Sequence, residues 1–313
     1  MERRHIGRLD VSLVGVGCNN FGGRLDADSS IKVVHAALDE GMNFFDTADV
    51  YSGGASEEAL GRALRQRRHE AVVATKFGGR MPDGSSGARP DYVGRACEAS
   101  LRRLGMDHID LYQLHFPDDE TPIGDTLQAL SELVDAGKVR VFGCSNFSAD
   151  QVDWAQRTAA DRGLHPFASV QNQLSLVHEE GDHRELVANM EEHGTAFLPY
   201  YPLASGVLTG KYTRGADPDP STRLGRSVRR QQRWLTDEYL AAAERLETWA
   251  RRRDRTLLEL AFSWLAAQPR VASVIAGAMS PEQVMANAAA IEWKLTDEEL
   301  RAIAPLRPAG ARG

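Results

Sequence analysis

Short β-branched or apolar runs alternate with longer amphipathic stretches along nearly all of this 313-residue chain, and that alternation restricts the available folds more than any other feature. Strands are predicted at Ser12–Gly17, Asn43–Asp46, Ala71–Lys76, His108–His115, Val139–Ser145, Ala168–Gln171, Ala196–Tyr200 and Val271–Ala276. Helical periodicity follows each, at Ser30–Glu40, Ser56–Arg67, Arg89–Leu104, Asp125–Ala136, Ser148–Arg162, Asp182–His193, Thr236–Arg252 and Pro281–Ala290, several opened by Ser, Thr or Asp caps. Eight such units predict the α/β class and a single (β/α)8 barrel of the TIM type. Two further helical runs, Thr256–Ala267 before the last strand and Thr296–Ile303 after the last helix, are expected as accessory C-terminal helices. The Pro-, Gly-, Ser- and Arg-rich stretch from Tyr201 to Trp234 lacks clear periodicity and is expected to form a flap. No linker or internal repeat beyond the βα unit interrupts the pattern, so one domain is expected over 1–313.

The 42% hydrophobic and 26% charged fractions are those of a globular protein, and a barrel of this length needs no division. A formal net charge of −7 argues against nucleic-acid binding by bulk electrostatics. Cys18, Cys97 and Cys144 are odd in number, widely spaced and without a Cys-x-x-Cys pattern, so neither a disulfide framework nor a metal site is expected. The opening residues lead into no apolar stretch of signal-peptide kind, and no apolar run approaches the roughly 20 residues of a membrane span. The expectation is a cytoplasmic protein with no membrane partner; oligomeric state is left open.

Catalytic groups in such a barrel come from the C-terminal ends of different strands. Asp46 closes the second predicted strand, Tyr51 follows five residues later, Lys76 closes the third and His115 the fourth. Each alone has an ordinary explanation: Asp as a turn or cap residue, Lys as a solvated end, Tyr as loop packing, His as a satisfied core group. Their joint occurrence is what such independent explanations fail to produce.

The segments Asp46-Thr47-Ala48-Asp49-Val50-Tyr51, Thr75-Lys76-Phe77-Gly78 and Asp107-His108-Ile109-Asp110-Leu111-Tyr112-Gln113-Leu114-His115 resemble, in order and spacing, the signatures of the aldo-keto reductases. The resemblance runs from Ser12 to the helix bearing Asn287 and is nearest the branch related to voltage-gated potassium channel β subunits and bacterial aldehyde reductases. It implies hydride transfer from NADPH to a carbonyl, with Tyr51 as proton donor. A phenol of ordinary pKa about 10 must be made a better acid for this, and each unit of lowering needs ~1.4 kcal/mol of preferential phenolate stabilisation. Lys76 is expected to supply it, Asp46 to hold the lysine charged, and a neutral His115 to orient the carbonyl oxygen.

No Gly-x-Gly-x-x-Gly opens a helix after the first strand, so a Rossmann site is excluded; Gly15, Gly17, Gly22 and Gly23 instead suggest a tight first βα loop near the reacting centre. Ser145, Asn146 and Gln171 have the donor and acceptor groups that a nicotinamide carboxamide needs. By resemblance Tyr200 stacks on the nicotinamide ring, while Leu203, Gly206 and Lys211 belong to a segment covering the pyrophosphate. Arg214, Arg223 and Arg226 are further candidates there. Gly277 and Ser280 precede a helix whose N-terminus suits a phosphate, and Gln283 and Asn287 match positions that touch the adenosine part. Ser280 stands where a basic side chain is frequent, Ala276 replaces a common proline and Ala286 a common glutamate, so NADPH is expected with NADH also possible.

Phe21, Phe77, Phe116 and Trp234 are candidates either to wall an apolar pocket for a small-molecule carbonyl substrate, an aldehyde or reactive ketone, or equally to pack loops together. The alternatives weighed are a cofactor-sensing binding module like the channel β subunits, a nucleotide-sugar ketoreductase of secondary metabolism, and a Schiff-base aldolase using Lys76.

Overall fold

The computed structural model describes residues 1–311, so the last two positions of the predicted 1–313 span lie outside the described residues. Eight parallel strands form the barrel wall: Val14–Gly17, Phe44–Asp46, Val72–Phe77, Ile109–Leu114, Val139–Ser145, Ser169–Gln171, Ala196–Phe197 and Val274–Gly277. The first seven pair successively in chain order, and the eighth pairs with the first through Val274↔Val14 to Gly277↔Gly17. Closure between the seventh and eighth is made by bridges at Phe197↔Val271 and Tyr200↔Ile275, with the Ala272 amide donating to the Phe197 carbonyl at 2.9 Å. The predicted Ala196–Tyr200 strand is therefore regular only over its first two residues. Close approach sets strand spacing at Gly143, where a Cβ would stand 2.6 Å from the Ser169 carbonyl oxygen.

Helices Ala27–Asp39, Ala55–Leu64, Pro90–Leu104, Ile123–Asp135, Ala149–Arg162 and His183–His193 pack successively around the wall, and Pro281–Ala289 returns to the first of them. Their apolar faces and the outward strand residues form one continuous core. Capping boxes at Ser148, Thr256 and Thr296 explain why the pattern located those helix starts to within a residue. Asp237–Arg251, Leu257–Ala266 and Asp297–Ile303 are the expected accessory helices. The predicted flap is more regular than its composition suggested, with a 3-10 segment at Ala204–Thr209 and a short helix at Val228–Trp234.

The predicted strand Ser12–Gly17 is two elements. Ser12 ends a β-hairpin, Arg3–Ile6 paired with Leu9–Ser12 around Gly7-Arg8, where Gly7 takes a left-handed φ of 53°. Ile6, Leu9 and Val11 form a second core with Phe44, Ala74 and Leu111 from the strands and with Leu198 and Ala272 beside the seventh and eighth, and so plug the N-terminal end of the barrel. Alternation was hidden because Val11, Ser12, Leu13 and Val14 are all buried. The Arg4 guanidinium donates to the Val271 carbonyl at 2.6 Å, and the Ser12 amide to Asn43 Oδ1 at 2.7 Å. Among the described residues no helix is long and apolar enough to cross a membrane.

Ile6 is fully buried in this plug. Ile6→Ala is expected to cost about 2–5 kcal/mol in urea unfolding, the range for deleting a buried aliphatic side chain. An unchanged transition midpoint would contradict the plug.

Candidate active site

Every barrel strand delivers a polar or backbone group to the same mouth. Gly17, Asp46, Ser145, Gln171 and Gly277 end their strands, Lys76 is one residue from the end of its own, and His115 and Tyr200 lie just beyond theirs. Together with Tyr51, Asn146 and Phe116, these groups surround a pocket of about 370 Å³, with Lys76 beneath it.

At its floor the fully buried Lys76 ammonium donates to Asp46 Oδ2 at 2.7 Å and to the Thr47 carbonyl at 2.8 Å. The other carboxylate oxygen of Asp46 accepts from Gln171 Nε2 at 2.9 Å and from Gln113 Nε2 at 3.4 Å. Burial works against the lysine charge, but Asp46 and Tyr51 outweigh it, and the Lys76 pKa ends above the ordinary value. Lys76 Nζ lies 5.1 Å from the centroid of the Tyr51 ring. Tyr51 is held by a run of left-handed backbone, Ser52 (φ 51°), Gly53 (φ 64°) and Gly54 (φ 100°), that turns the chain from the second strand into its helix. The first βα loop packs on this turn, as its glycines suggested: a Cβ on Gly22 would be 2.6 Å from the Ala55 carbonyl carbon.

One expectation is corrected by the electrostatics. Lys76 does favour the Tyr51 phenolate, but burial is the larger effect and holds the phenol above its ordinary pKa. His115 is neutral, as expected: burial first, then Lys76, push it down to about 3. The His115 ring stacks on Phe116 (4.5 Å, 9°) and meets Tyr51 edge-on (5.8 Å). Its Nδ1 is buried without a partner, which places the ring proton on Nε2, because a buried N–H without an acceptor loses a hydrogen bond outright.

The carboxamide candidates are present but already engaged. Asn146, at φ 63°, donates to the His115 carbonyl (2.9 Å) and to Ser145 Oγ (3.1 Å), and its oxygen accepts from the Tyr200 hydroxyl (2.7 Å). Ser145 Oγ donates to the Gln171 carbonyl at 2.8 Å, and the Gln171 amide nitrogen serves Asp46. Burial pushes Tyr200 up to about 12.

A second cavity of about 630 Å³ continues from the first, sharing Tyr201, Pro202, Arg223 and Gly277 with it. It gathers the expected Leu203, Gly206, Lys211, Gln283 and Asn287 and, of the three expected arginines, Arg223 and Arg226. Arg214 is not there; it faces Glu244 at 3.8 Å in a different surface hollow. Ser280 caps the Pro281–Ala289 helix, its Oγ accepting from the Gln283 amide at 3.4 Å, while Gln283 Oε1 accepts from the Met279 amide at 2.9 Å. Left-handed φ values at Tyr201, Ala204, Ser205 and Gly206 concentrate strain along the groove wall, the kind of backbone that presents amides to an anion. The unpartnered buried Nε of Arg223 points the same way. The continuity of the two cavities, the cations and the strained wall fit a nicotinamide dinucleotide.

Of the four aromatic candidates only Phe116, 48% exposed, lines the pocket. Phe77 stacks on Tyr112 in the core, Phe21 is fully buried, and Trp234 packs against Tyr201, His178 and Tyr239. Sequence reasoning missed Gln113, whose inward position is set by strand register alone, and Arg24, which lines the groove from the first βα loop. It also missed Asp49 as an ionisable group: buried, with Oδ1 unpartnered, it is pushed up to about 7 by burial and then by Glu57.

His115 and Asp49 make opposite contributions to stability against pH. Between about 3 and 6.5 the unfolded chain holds the His115 proton and the folded one does not, so stability rises with pH. Between 3.8 and about 7 the folded chain holds the Asp49 proton and the unfolded one does not, so stability falls with pH. Relative to wild type, the melting-temperature profile of His115→Gln should therefore rise less steeply with pH through the overlap and that of Asp49→Asn more steeply. Equal slopes in the two variants would contradict these assignments.

Comparison with known proteins places this constellation. A family model described as the aldo/keto reductase family matches residues 13–307. A probable voltage-gated potassium channel subunit beta from Arabidopsis thaliana is 34% identical over 301 residues, covering 93% of this chain and 92% of that protein. The aldo-keto reductase yakc [NADP(+)] from Schizosaccharomyces pombe is 33% identical over 312 residues, covering 96% of this chain and 89% of that one. The solved glycerol dehydrogenase AKR11B4 from Gluconobacter oxydans superposes with a TM-score of 0.83 at 33% identity, covering 97% of this chain and 94% of its own. With its closed barrel and its strand-end residues in this setting, the chain belongs to the aldo/keto reductase family.

Proposed function

We propose that the protein, one barrel domain over the whole chain, reduces aldehydes or reactive ketones to alcohols at the expense of NADPH, with Tyr51 as general acid. The observation that carries this reading is the buried Asp46–Lys76 pair set beneath Tyr51 and His115 in a pocket that opens into a cationic groove. A bound NADPH supplies the hydride. Gly277, Gln283, Asn287, Lys211, Arg223 and the backbone of Leu203 to Gly206 hold the dinucleotide in the groove. Ser145, Asn146, Gln171 and Tyr200 border the nicotinamide end.

The chain's part in the chemistry is positioning and proton transfer. His115 Nε2–H donates to the carbonyl oxygen, fixing its orientation without adding a charge. The Tyr51 phenol keeps its proton through neutral pH, because burial holds its pKa up, and yields it only when the carbonyl oxygen gains the basicity of an alkoxide. Lys76 then stabilises the phenolate that forms, and Asp46 keeps the lysine protonated. The same pair speaks against a Schiff-base aldolase, which needs a neutral lysine amine. Phe116 and the Tyr201 ring give the substrate end an apolar wall. NADPH is the preferred donor, and NADH is a possible one because Ser280 offers a 2′-phosphate no cation.

Tyr51→Phe should lower kcat by about 10²- to 10⁴-fold, the usual weight of a positioned general acid, while the Kd for NADPH stays within about twofold. Nicotinamide absorbance on an aldehyde panel measures the first and fluorescence titration the second. Full turnover by this variant would defeat the assignment. A wild-type protein that binds NADPH but turns over no carbonyl would favour a cofactor-sensing module, the reading to which the named potassium channel relative points.

A further inference from the structure

Two charged side chains close to the turn that holds Tyr51 do not line the pocket. Glu57, in the first turn of the Ala55–Leu64 helix, is fully buried. Arg103, in the last turn of the Pro90–Leu104 helix, reaches it from outside, with Nε donating to Glu57 Oε2 at 2.6 Å. The other oxygen of Glu57 accepts from Thr75 Oγ1 at 2.5 Å, and Thr75 is the residue before Lys76 on its strand. Arg103 also donates to Ser100 Oγ at 3.2 Å, within its own helix.

Arg103 touches the turn itself. Gly54 closes the left-handed run at φ 100°, and a Cβ on it would stand 2.7 Å from Arg103 Cδ and 3.0 Å from Nε, so the arginine stem runs against the backbone just after Tyr51. The base of Arg103 is fixed, because its helix meets the Ala55–Leu64 helix at backbone contact: a Cβ on Gly61 would collide with the Leu104 carbonyl oxygen. From that base one ion pair reaches the turn bearing Tyr51 through Gly54 and the strand bearing Lys76 through Thr75. The same two segments are joined ahead of Tyr51 by the Asp49 amide, which donates to the Lys76 carbonyl at 3.1 Å. The charge of Glu57 is felt there too, since after burial it is what pushes Asp49 up to about 7.

An ion pair with a buried carboxylate adds little net stability over a well-packed apolar pair. What a short charge-assisted bond does provide is a fixed distance. Proton transfer depends on such distances, because a small displacement of the acid from its partners is felt steeply in the rate. We propose that Glu57 and Arg103 are positioning residues for the carbonyl reduction, their ion pair a strut that sets the separation of the Tyr51 hydroxyl and the Lys76 ammonium. The strut rests on the reading of Tyr51 as general acid and adds to it the means by which acid and ammonium are held together.

The test compares wild type with the charge-neutral double variant Glu57→Gln/Arg103→Met and with Arg103→Lys. Removing both charges leaves neither group buried alone, and their opposite effects on a nearby phenol offset each other, so a moved Tyr51 titration reports distance. The Tyr51 pKa, read by NMR of ζ-labelled tyrosine, should rise in the double variant as the help of Lys76 is lost. Aldehyde reduction should slow roughly tenfold to a hundredfold in kcat, while the Kd for NADPH stays within about twofold. Arg103→Lys, which keeps the charge, should lie closer to wild type in both readings. Thr75→Val cuts the link to the Lys76 strand with the ion pair intact, and gives the same two readings if the double variant does not fold. A folded variant with wild-type kcat and an unmoved Tyr51 titration would overturn the strut, and so would NADPH affinity lost in step with kcat, the mark of general damage. A wild type that turns over no carbonyl would instead overturn the reading of Tyr51 as acid, and the titration alone would then decide whether the strut holds the two groups together.

Discussion

A lysine ammonium cut off from water survives in a protein interior only if its charge is answered at hydrogen-bond distance, and Lys76 meets that condition through Asp46 and the Thr47 carbonyl. The pair costs desolvation energy, so its value is not in stability. Removing either partner would leave an uncompensated buried charge, a loss of about 3–5 kcal/mol where such pairs have been broken. Gln113 and Gln171, from the fourth and sixth strands, donate to the second oxygen of Asp46. One carboxylate thus ties together groups from four strands, and the barrel must close for them to meet. The hairpin plug at the far end and the pair at the mouth are two ends of the same closed wall.

That arrangement also determines how charge acts on the phenol. Burial makes Tyr51 a poorer acid and Lys76 makes it a better one, and in the structure burial prevails. From sequence only the lysine's influence on the phenol is readable, because residue identity reveals a neighbour's charge but not how much water has been removed. His115 shows the same physics with the opposite result: burial and Lys76 act together, and the imidazole is neutral. A neutral donor beside a protonated acid is the state in which a carbonyl can be gripped before any charge develops.

What was legible in the sequence follows from what is local. Strand and helix positions came from periodicity and caps, and the ends of strands pointed to Asp46, Lys76 and His115, which the closed barrel brings to one mouth. The N-terminal hairpin was not legible, since Val11 through Val14 are all buried and show no alternation. Phe21, Phe77 and Trp234 take the packing alternative, because an aromatic near an element's end carries no sign in the sequence of which way it faces; Phe77 ends its strand in the core and Trp234 turns inward onto Tyr201. Gln113 and Arg24 depend on register and on contact between distant loops, and no spacing rule reaches either.

The central claim, that Lys76 acts electrostatically on the Tyr51 hydroxyl, is tested most directly by following that hydroxyl itself. With tyrosines labelled at the ζ carbon and Tyr51→Phe used to assign the resonance, NMR titration reads the Tyr51 pKa in wild type and in Lys76→Met. The account predicts titration above the ordinary tyrosine value in wild type and higher still in Lys76→Met, where burial acts unopposed. A Tyr51 titration that does not move when the ammonium is removed would contradict it.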